Sequence, residues 1–101
     1  MPHLFHIVAG ATWAAAGDAY RPDTFAAEGF VHCSYASQVA GTAQQHYGGI
    51  RGLSLLEIDP DRLPAPVRVE GGFPHVYGEV PRAAVIAVHD LDQWLLTRDL
   101  R

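Results

Sequence analysis

The chain of 101 residues has no lysine, no asparagine and a single cysteine, Cys33. The absence of lysine excludes Schiff-base catalysis, a phosphate-loop lysine and a Ser–Lys dyad. One cysteine cannot form an internal disulfide, and a lone thiol is typical of a reducing compartment. Residues 1–6 lack the basic and apolar segments of a signal peptide, and no apolar run approaches the roughly 20 residues of a membrane span. We therefore expect a cytoplasmic protein without a membrane partner.

Basic residues are few, and all seven of them are arginines scattered along a chain of net charge −4. Nucleic-acid binding requires a cationic surface, so a nucleic-acid partner is not expected. The length and the apolar content of 49% predict a single globular domain over residues 1–101. Histidine is the residue type in excess, with six copies. This excess suggests an acid–base or metal site, or else ordinary core and surface histidines.

Short apolar runs separated by turn residues predict an α+β fold rather than a doubly wound one. The clearest helix covers residues 35–47, where Val39, Ala43 and Tyr47 recur at helical spacing behind Ser34 as the N-cap. One or two short helices are expected, at 13–16 after Thr12 and at 91–100 after Asp90. Residues 18–28 are expected to form a loop or short turns. A mostly antiparallel sheet of about five to six strands uses residues 4–9, 30–33, 53–58, 67–70, 73–78 and 83–89.

Residues 28–34 (EGFVHCS) are the first candidate site, because a strand there runs directly into a helix. Free backbone N–H groups and the positive end of the helix dipole favour an anion at such a place, and they would lower the pKa of Cys33. Alternatively, Ser34 is only a cap and Cys33 is a small buried side chain. His32 is equally compatible with a role in a site and with simple packing.

Two further histidines stand among strand residues. His75 and Tyr77 in the segment 73–78 (FPHVYG) are two positions apart and share a face in extended chain, although a structural turn explains most of this segment. His6 shares a face of the first strand with Leu4 and Val8, so its polar ring needs a partner.

Convergence of His6, His32 and His75 from three strands would supply enough ligands for zinc. No pair of them has H-x-x-x-H or C-x-x-C spacing, so a metal site is the weaker interpretation. Arg21 and Arg51 are loop arginines that can meet a phosphate or simply solvent. The remaining histidines are expected at the surface: His3, His46 and His89.

The segments 28–34 (EGFVHCS), 56–60 (LEIDP) and 73–78 (FPHVYG), with VP at 80–81, resemble the bacterial domain-of-unknown-function 952 family over nearly the whole chain. The order of VHCS, LEID and VP is also similar to that in the tRNA 2′-phosphotransferases of the ADP-ribosyltransferase-like group. This second resemblance implies a split, strongly bent small sheet and a ligand that is NAD or an ADP-ribosyl group. It implies that His6 contacts a ribose and that Ser34 lines the nicotinamide–ribose end.

The leading hypothesis is therefore a small-molecule pocket of ADP-ribosyltransferase-like type that binds NAD, ADP-ribose or a related nucleotide, with NAD as a substrate rather than a resident cofactor. The alternatives are a non-catalytic ligand- or protein-binding domain and a histidine-based metal-dependent hydrolase. A homodimer is compatible with the apolar run WLL at 94–96, which fits the end of the core equally. Six residues are the candidate ligand-binding set, of which His32 and His75 are the candidate catalytic residues: His6, Arg21, His32, Ser34, His75 and Tyr77.

Overall fold

Eight β-strands form three antiparallel sheets in the computed structural model, which describes residues 1–98. In chain order the strands are β1 (Leu4–Ala9), β2 (Ala19–Tyr20), β3 (Val31–His32), β4 (Leu53–Ile58), β5 (Val67–Glu70), β6 (Phe73–Val76), β7 (Val80–Pro81) and β8 (Val85–Asp90). The first sheet has the order β1-β4-β8, the second pairs β2 with β7, and the third has the order β3-β6-β5. The α+β class and the antiparallel pairing are thus as predicted.

Four α-helices and three short 3₁₀ turns connect the strands within residues 1–98. None of these helices is long and apolar enough to cross a bilayer. The helices are α1 (Gly10–Ala15), α2 (Phe25–Glu28), α3 (Val39–Tyr47) and α4 (Leu91–Thr97), and the 3₁₀ turns are Ala36–Gln38, Pro60–Arg62 and Arg82–Ala84.

Strand β1 separates two apolar clusters, because successive side chains of a strand point to opposite faces. Leu4 and Val8 belong to one cluster, which also holds residues of β3, β4, β6 and β7. Phe5 and Ile7 belong to the other, which α3 and α4 cover with Val39, Ala43, Leu91 and Trp94. The alternation expected for β1 is therefore present, with both faces buried.

The sheet is divided more than predicted. Strand β3 is only two residues long, and a single bridge between Phe5 and Ser34 connects its continuation to β1. Gly29, at φ 79°, ends α2 in the left-handed conformation directly before this short strand. The chain thus turns out of α2 into a small sheet of its own instead of extending the β1-β4-β8 sheet.

Ser34 does not cap the main helix, which corrects the prediction. Its backbone N–H and C=O both pair with Phe5 at 2.8 Å, and its Oγ lies 3.2 Å from Thr42 Oγ1. The side chain of Gln38 instead accepts a hydrogen bond from the Tyr35 N–H at 2.9 Å. A 3₁₀ turn at 36–38 follows, so α3 begins at Val39, although it ends at Tyr47 as expected.

The boundaries of other helices and strands also differ from the predicted ones. Helix α1 begins at Gly10, so Thr12 lies inside it rather than at its cap. Residues 18–28, expected as a loop, contain β2 and α2. The segment 73–78 ends its strand at Val76, and strand β8 starts at Val85 because Arg82–Ala84 forms a 3₁₀ turn.

The C-terminal helix begins as expected, with the Asp90 carboxylate accepting from the Gln93 N–H at 3.0 Å. It ends at Thr97, and the predicted extension to residue 100 falls partly outside the described residues. Trp94 is buried and Leu95 packs on the second cluster, while Leu96 is exposed. The homodimer stays a prediction.

Arg82 directly follows β7 and forms hydrogen bonds that connect the end of α1 to the β2-β7 sheet. Its guanidinium donates to the carbonyls of Trp13 at 3.1 Å, Ala16 at 2.6 Å and Gly17 at 3.1 Å. It also lies 4.2 Å from the centre of the Trp13 ring, a cation–π distance. One side chain thus bonds to three carbonyls at the end of α1 and in the two residues that follow it.

Replacing Arg82 with Met should lower the free energy of unfolding by about 2–3 kcal/mol, because hydrogen bonds from a charged donor are lost while their acceptors stay partly buried. Urea unfolding of the two proteins measures this difference. Arg62→Met is the matched control, since Arg62 is exposed and its ion pair with Asp59 is 3.5 Å long; we expect a change below about 1 kcal/mol. Equal effects of the two substitutions would contradict the role assigned to Arg82.

Candidate functional site

A pocket of about 830 Å³ lies where β1, β3, α3 and the β5–β6 turn meet. Its volume falls within the roughly 300–1,000 Å³ typical of small-molecule sites. Tyr77, the sixth residue of the predicted set, does not line it, but its hydroxyl donates to the lining residue Glu70. The other five of the predicted ligand-binding residues all line it: His6, Arg21, His32, Ser34 and His75.

His6 lies at the buried side of the pocket and is only 7% exposed. Its Nδ1 donates to the backbone carbonyl of His32 at 2.6 Å. A carbonyl can only accept, so the proton of the neutral ring is on Nδ1, and Nε2 accepts from the Tyr20 hydroxyl at 2.9 Å. Burial lowers the pKa of His6 to about 4, so the ring is neutral at pH 7.

Tyr20 keeps its proton for the same physical reason. Burial raises the pKa of its phenol to about 12, and neighbouring Tyr47 and Asp23 add to the rise. With the pKa of His6 near 4, transfer of the phenolic proton to the imidazole is strongly unfavourable. The pair therefore fixes geometry rather than moving a proton, and neither ring nitrogen of His6 is open to a metal.

His32 and His75 line the pocket, and each is bonded to a carboxylate that lines it as well. His32 Nε2 donates to Glu28 Oε2 at 2.9 Å, and His75 Nδ1 donates to Glu70 Oε1 at 3.1 Å. The bond from His32 lowers the pKa of Glu28, and bonds from Tyr77 and then His75 lower the pKa of Glu70. Both carboxylates are consequently ionised at neutral pH.

The hairpin β5–β6 positions this second pair. Gly71 and Gly72, at φ 61° and 86°, form its two-residue turn, and positive φ at both positions is what the tightest hairpin turns require. Antiparallel pairing of β3 with β6 then sets His75 directly opposite His32. Phe30 stacks on the His75 ring at 4.1 Å between centroids.

Arg21 lines the pocket from the segment that follows β2. Its guanidinium lies 5.6 Å from the centre of the Phe25 ring, and it forms no ion pair with any residue in the described part of the chain. It is exposed, so its charge is available to an anion in the pocket.

The metal interpretation does not fit this geometry. His6 has both nitrogens bonded within the protein, so three rings cannot share one ion. Across residues 1–98, no group of three or more His, Cys, Asp or Glu side chains is arranged to hold a metal ion.

Cys33 is buried, and burial raises the pKa of its thiol to about 12. The lowered pKa expected at a helix N-terminus is therefore wrong, because residues 33–34 continue as extended chain and the helix begins later. A buried thiol of this kind is unreactive and acts as a small apolar side chain.

A second histidine cluster lies outside the pocket. Glu57 accepts from His3 at 2.7 Å and from His89 at 2.8 Å, and these bonds lower its pKa against an opposing effect of burial. His3 is largely exposed and His89 is half-buried. The expectation of surface histidines is thus met by His3 and only in part by His89.

Sequence reasoning missed several residues of the site. Glu28 belongs to the candidate segment 28–34, but its pairing with His32 depends on the left-handed turn at Gly29 between α2 and β3. Glu70 and Phe30 meet His75 only through the hairpin and the β3–β6 pairing. Tyr20 meets His6 across 14 positions of chain, and no local pattern marks it.

Comparison with known proteins adds a family context. The profile of a family described as a protein of unknown function (DUF952) matches residues 7–88. The X-ray crystal structure of protein CC0527 from Caulobacter crescentus matches with a TM-score of 0.79 at 28% identity, over 87% of this chain and 84% of that one. The solution NMR structure of CC0527 gives a TM-score of 0.72 at 26% identity, over 89% and 84%. No curated protein matches the chain.

The stability of the protein should fall between about pH 6.5 and pH 4, the pKa of His6 in the unfolded and folded states. The folded pKa is the lower one, so the unfolded chain takes up the proton first as the pH falls. The contribution is complete above this window and is lost through it, by roughly 3 kcal/mol. Urea unfolding at pH 7, 5.5 and 4.5 measures the slope.

His6→Gln should flatten this slope, whereas His46→Gln, at an exposed residue near the end of α3, should keep it. The carboxylates Glu28, Glu57 and Glu70 have lowered pKa values, so their contributions are lost at more acidic pH, below about 4.5. An unchanged slope in His6→Gln would show that another group is responsible.

The Cys33 thiol should react with DTNB at least about 100-fold more slowly in the native protein than in urea, because the thiolate is the reactive form and burial suppresses it. Cys33 is the sole cysteine of the chain. The increase in absorbance therefore measures the fraction of this thiol that has reacted. Equal rates in the native and unfolded protein would contradict the burial of the thiol.

Proposed function

The chain belongs to the DUF952 family of proteins of unknown function, and we propose that its pocket binds a nucleotide of ADP-ribosyl type, namely NAD, ADP-ribose or a related compound. The observation that supports this most directly is that one pocket of about 830 Å³ is lined by both an arginine without an ion pair and two histidine-bound carboxylates. A nucleotide carries the complementary groups, because its phosphates are anions that bind a cation and its ribose hydroxyls donate hydrogen bonds to acceptors.

Arg21 is the phosphate ligand in this proposal. A guanidinium offers paired N–H donors that match phosphate oxygens in a planar fork. The surrounding pocket supplies neutral donors as well, from the hydroxyls of Thr12 and Thr42. One cation with neutral donors suits a nucleotide better than a highly charged polyphosphate.

Glu28 and Glu70 are the ribose acceptors. Both carboxylates line the pocket, and their hydrogen bonds from histidine and tyrosine lower their pKa values. An ionised carboxylate has free lone pairs beyond the one that its histidine occupies, so it can accept from a ribose hydroxyl. Such acceptors discriminate a sugar from an apolar ligand of similar size.

Phe73 offers a surface for the base. It is the first residue of β6, lines the pocket and is 39% exposed despite its apolar ring. An exposed aromatic side chain at the edge of a pocket can stack on a nucleobase, an interaction worth about 1–3 kcal/mol. Aromatic, cationic and acidic groups thus line one cavity in the combination that a nucleotide requires.

Arg21→Ala should weaken binding of ADP-ribose by about tenfold, the loss of one charge-assisted contact of about 1.4 kcal/mol. Thermal-shift titration with NAD, ADP-ribose and AMP measures it. A ligand at 100 times its dissociation constant stabilises the wild type by about 2.7 kcal/mol, which raises the Tm of a domain of this size by several degrees. The matched control is Arg51→Ala, an exposed arginine that does not line the pocket.

Absence of a shift with all three nucleotides, or equal losses in Arg21→Ala and Arg51→Ala, would contradict the proposal. Chromatography of the same NAD samples for released nicotinamide separates an enzyme from a binding domain, because a purely binding pocket gives the thermal shift without any product.

A further inference from the structure

We propose that His32 and His75 act as a general base and a general acid that hydrolyse the cyclic phosphodiester of a nucleotide related to ADP-ribose. NAD and ADP-ribose themselves contain a pyrophosphate and no phosphodiester. The step rests on the proposed function because the same pocket binds the nucleotide. The argument for the pair starts from strand register. His32 and His75 are direct partners in the antiparallel β3–β6 ladder, so their side chains stand on the same face. Their ring centroids are 5.3 Å apart, with planes at 77°.

Each ring has one nitrogen bound to a carboxylate and one nitrogen open. The ionised carboxylates of Glu28 and Glu70 only accept, so His32 Nε2 and His75 Nδ1 carry protons. The opposite nitrogens, His32 Nδ1 and His75 Nε2, have no hydrogen-bond partner among residues 1–98. A carboxylate behind an imidazole fixes its tautomer and supports the cation that forms when the open nitrogen takes a proton.

The other histidines lack this combination. His6 has both nitrogens occupied and is buried. His3 and His89 share Glu57 outside the pocket. His46 lines the pocket, but no carboxylate in the described part of the chain holds it. An acid–base pair facing the pocket is thus particular to His32 and His75.

The class of reaction follows from what surrounds the pair. Cys33 is buried with a raised pKa, and the Ser34 hydroxyl is buried against Thr42, so neither is a nucleophile. Arg21 offers its cation to a phosphate in the same cavity. Two histidines of opposite roles and a cation that lines the same pocket match the needs of phosphodiester hydrolysis, in which one proton leaves the attacking water and another reaches the leaving oxygen.

Water is the co-reactant, and the step balances. One histidine begins neutral at its open nitrogen and takes a proton from water as the water oxygen bonds to phosphorus. The bond between phosphorus and one ribose oxygen breaks, and the other histidine, protonated at both nitrogens, gives its proton to that oxygen. The products are a phosphomonoester and a free hydroxyl, and the histidines recover their protonation states by exchange with solvent.

The titratable groups around the pair set its pH response. Glu28 from α2 faces His32, and Glu70 from β5 faces His75. Tyr77 of the segment after β6 shares Glu70, Arg68 of β5 interacts electrostatically with it, and buried His6 of β1 lies near His32. Because one histidine must be neutral and the other protonated, kcat/KM should fall on both sides of an optimum.

The test uses the purified full chain with 2′,3′-cyclic AMP and with bis(p-nitrophenyl) phosphate as probes. Wild-type protein should hydrolyse the cyclic nucleotide with a bell-shaped pH profile. His32→Ala and His75→Ala should each lower kcat/KM about 100-fold or more, and each should lose one side of the bell. The matched control, His3→Ala, lies outside the pocket and should leave the rate unchanged.

Two conservative variants test the same pair in case the alanine variants fail to fold. Glu28→Gln and Glu70→Gln keep the shape of the positioning residues and remove their charge, so they should lower kcat and displace the pH profile while the thermal midpoint changes little. Hydrolysis no faster than in buffer, or full activity in both alanine variants, would overturn the inference. Nucleotide binding by thermal shift without hydrolysis overturns the acid–base pair alone, whereas hydrolysis of the diester without any nucleotide-induced shift contradicts the proposed function instead.

Discussion

The hydrogen bond from His6 Nδ1 to the carbonyl of His32 is the contact on which the pocket depends. It joins β1 to β3, close to the bridge that pairs Phe5 of β1 with Ser34. The other nitrogen of the same ring binds Tyr20 in β2, so one buried imidazole connects a strand from each of the three sheets. Because a buried polar ring must be bonded at both nitrogens to be tolerated, the geometry of these three strands is set together.

Burial distinguishes His6 from the two carboxylate-bound histidines of the pocket. His6 is enclosed, neutral and fully bonded, with its pKa lowered to about 4. His32 and His75 line the same cavity, each against a carboxylate, with side chains that are 54% and 14% exposed. The same side chain therefore serves as a structural connector where water is excluded and as a group able to exchange protons where water has access. His32 takes part in both arrangements. Its backbone carbonyl accepts the hydrogen bond from buried His6, and its ring donates to Glu28.

Local periodicity predicted the parts of this fold that depend on neighbouring residues. The faces of β1, the strand at Leu53–Ile58 and the Asp90 cap follow from alternation and capping alone. The start of α3 did not, because Ser34 pairs with Phe5 in β1, a contact that no helical pattern contains. Arg82 shows the same limit, since its acceptors lie 65 to 69 positions earlier in the chain. The two candidate segments 28–34 and 73–78 lie side by side because β3 and β6, which they contain, are paired strands.

The bonding of His6 also changes what the family resemblance implies for a ligand. A first-strand histidine with both nitrogens occupied has no hydrogen bond left to offer a ribose. Tyr20 can still accept a hydrogen bond from a ribose. Its hydroxyl donates its proton to His6, its oxygen keeps free lone pairs, and it lines the pocket. A sugar hydroxyl in this cavity would therefore donate to Tyr20, with His6 acting one step behind it as the residue that orients the acceptor. The raised pKa of Tyr20, about 12, keeps this acceptor neutral throughout the physiological range, so its role is recognition rather than nucleophilic attack.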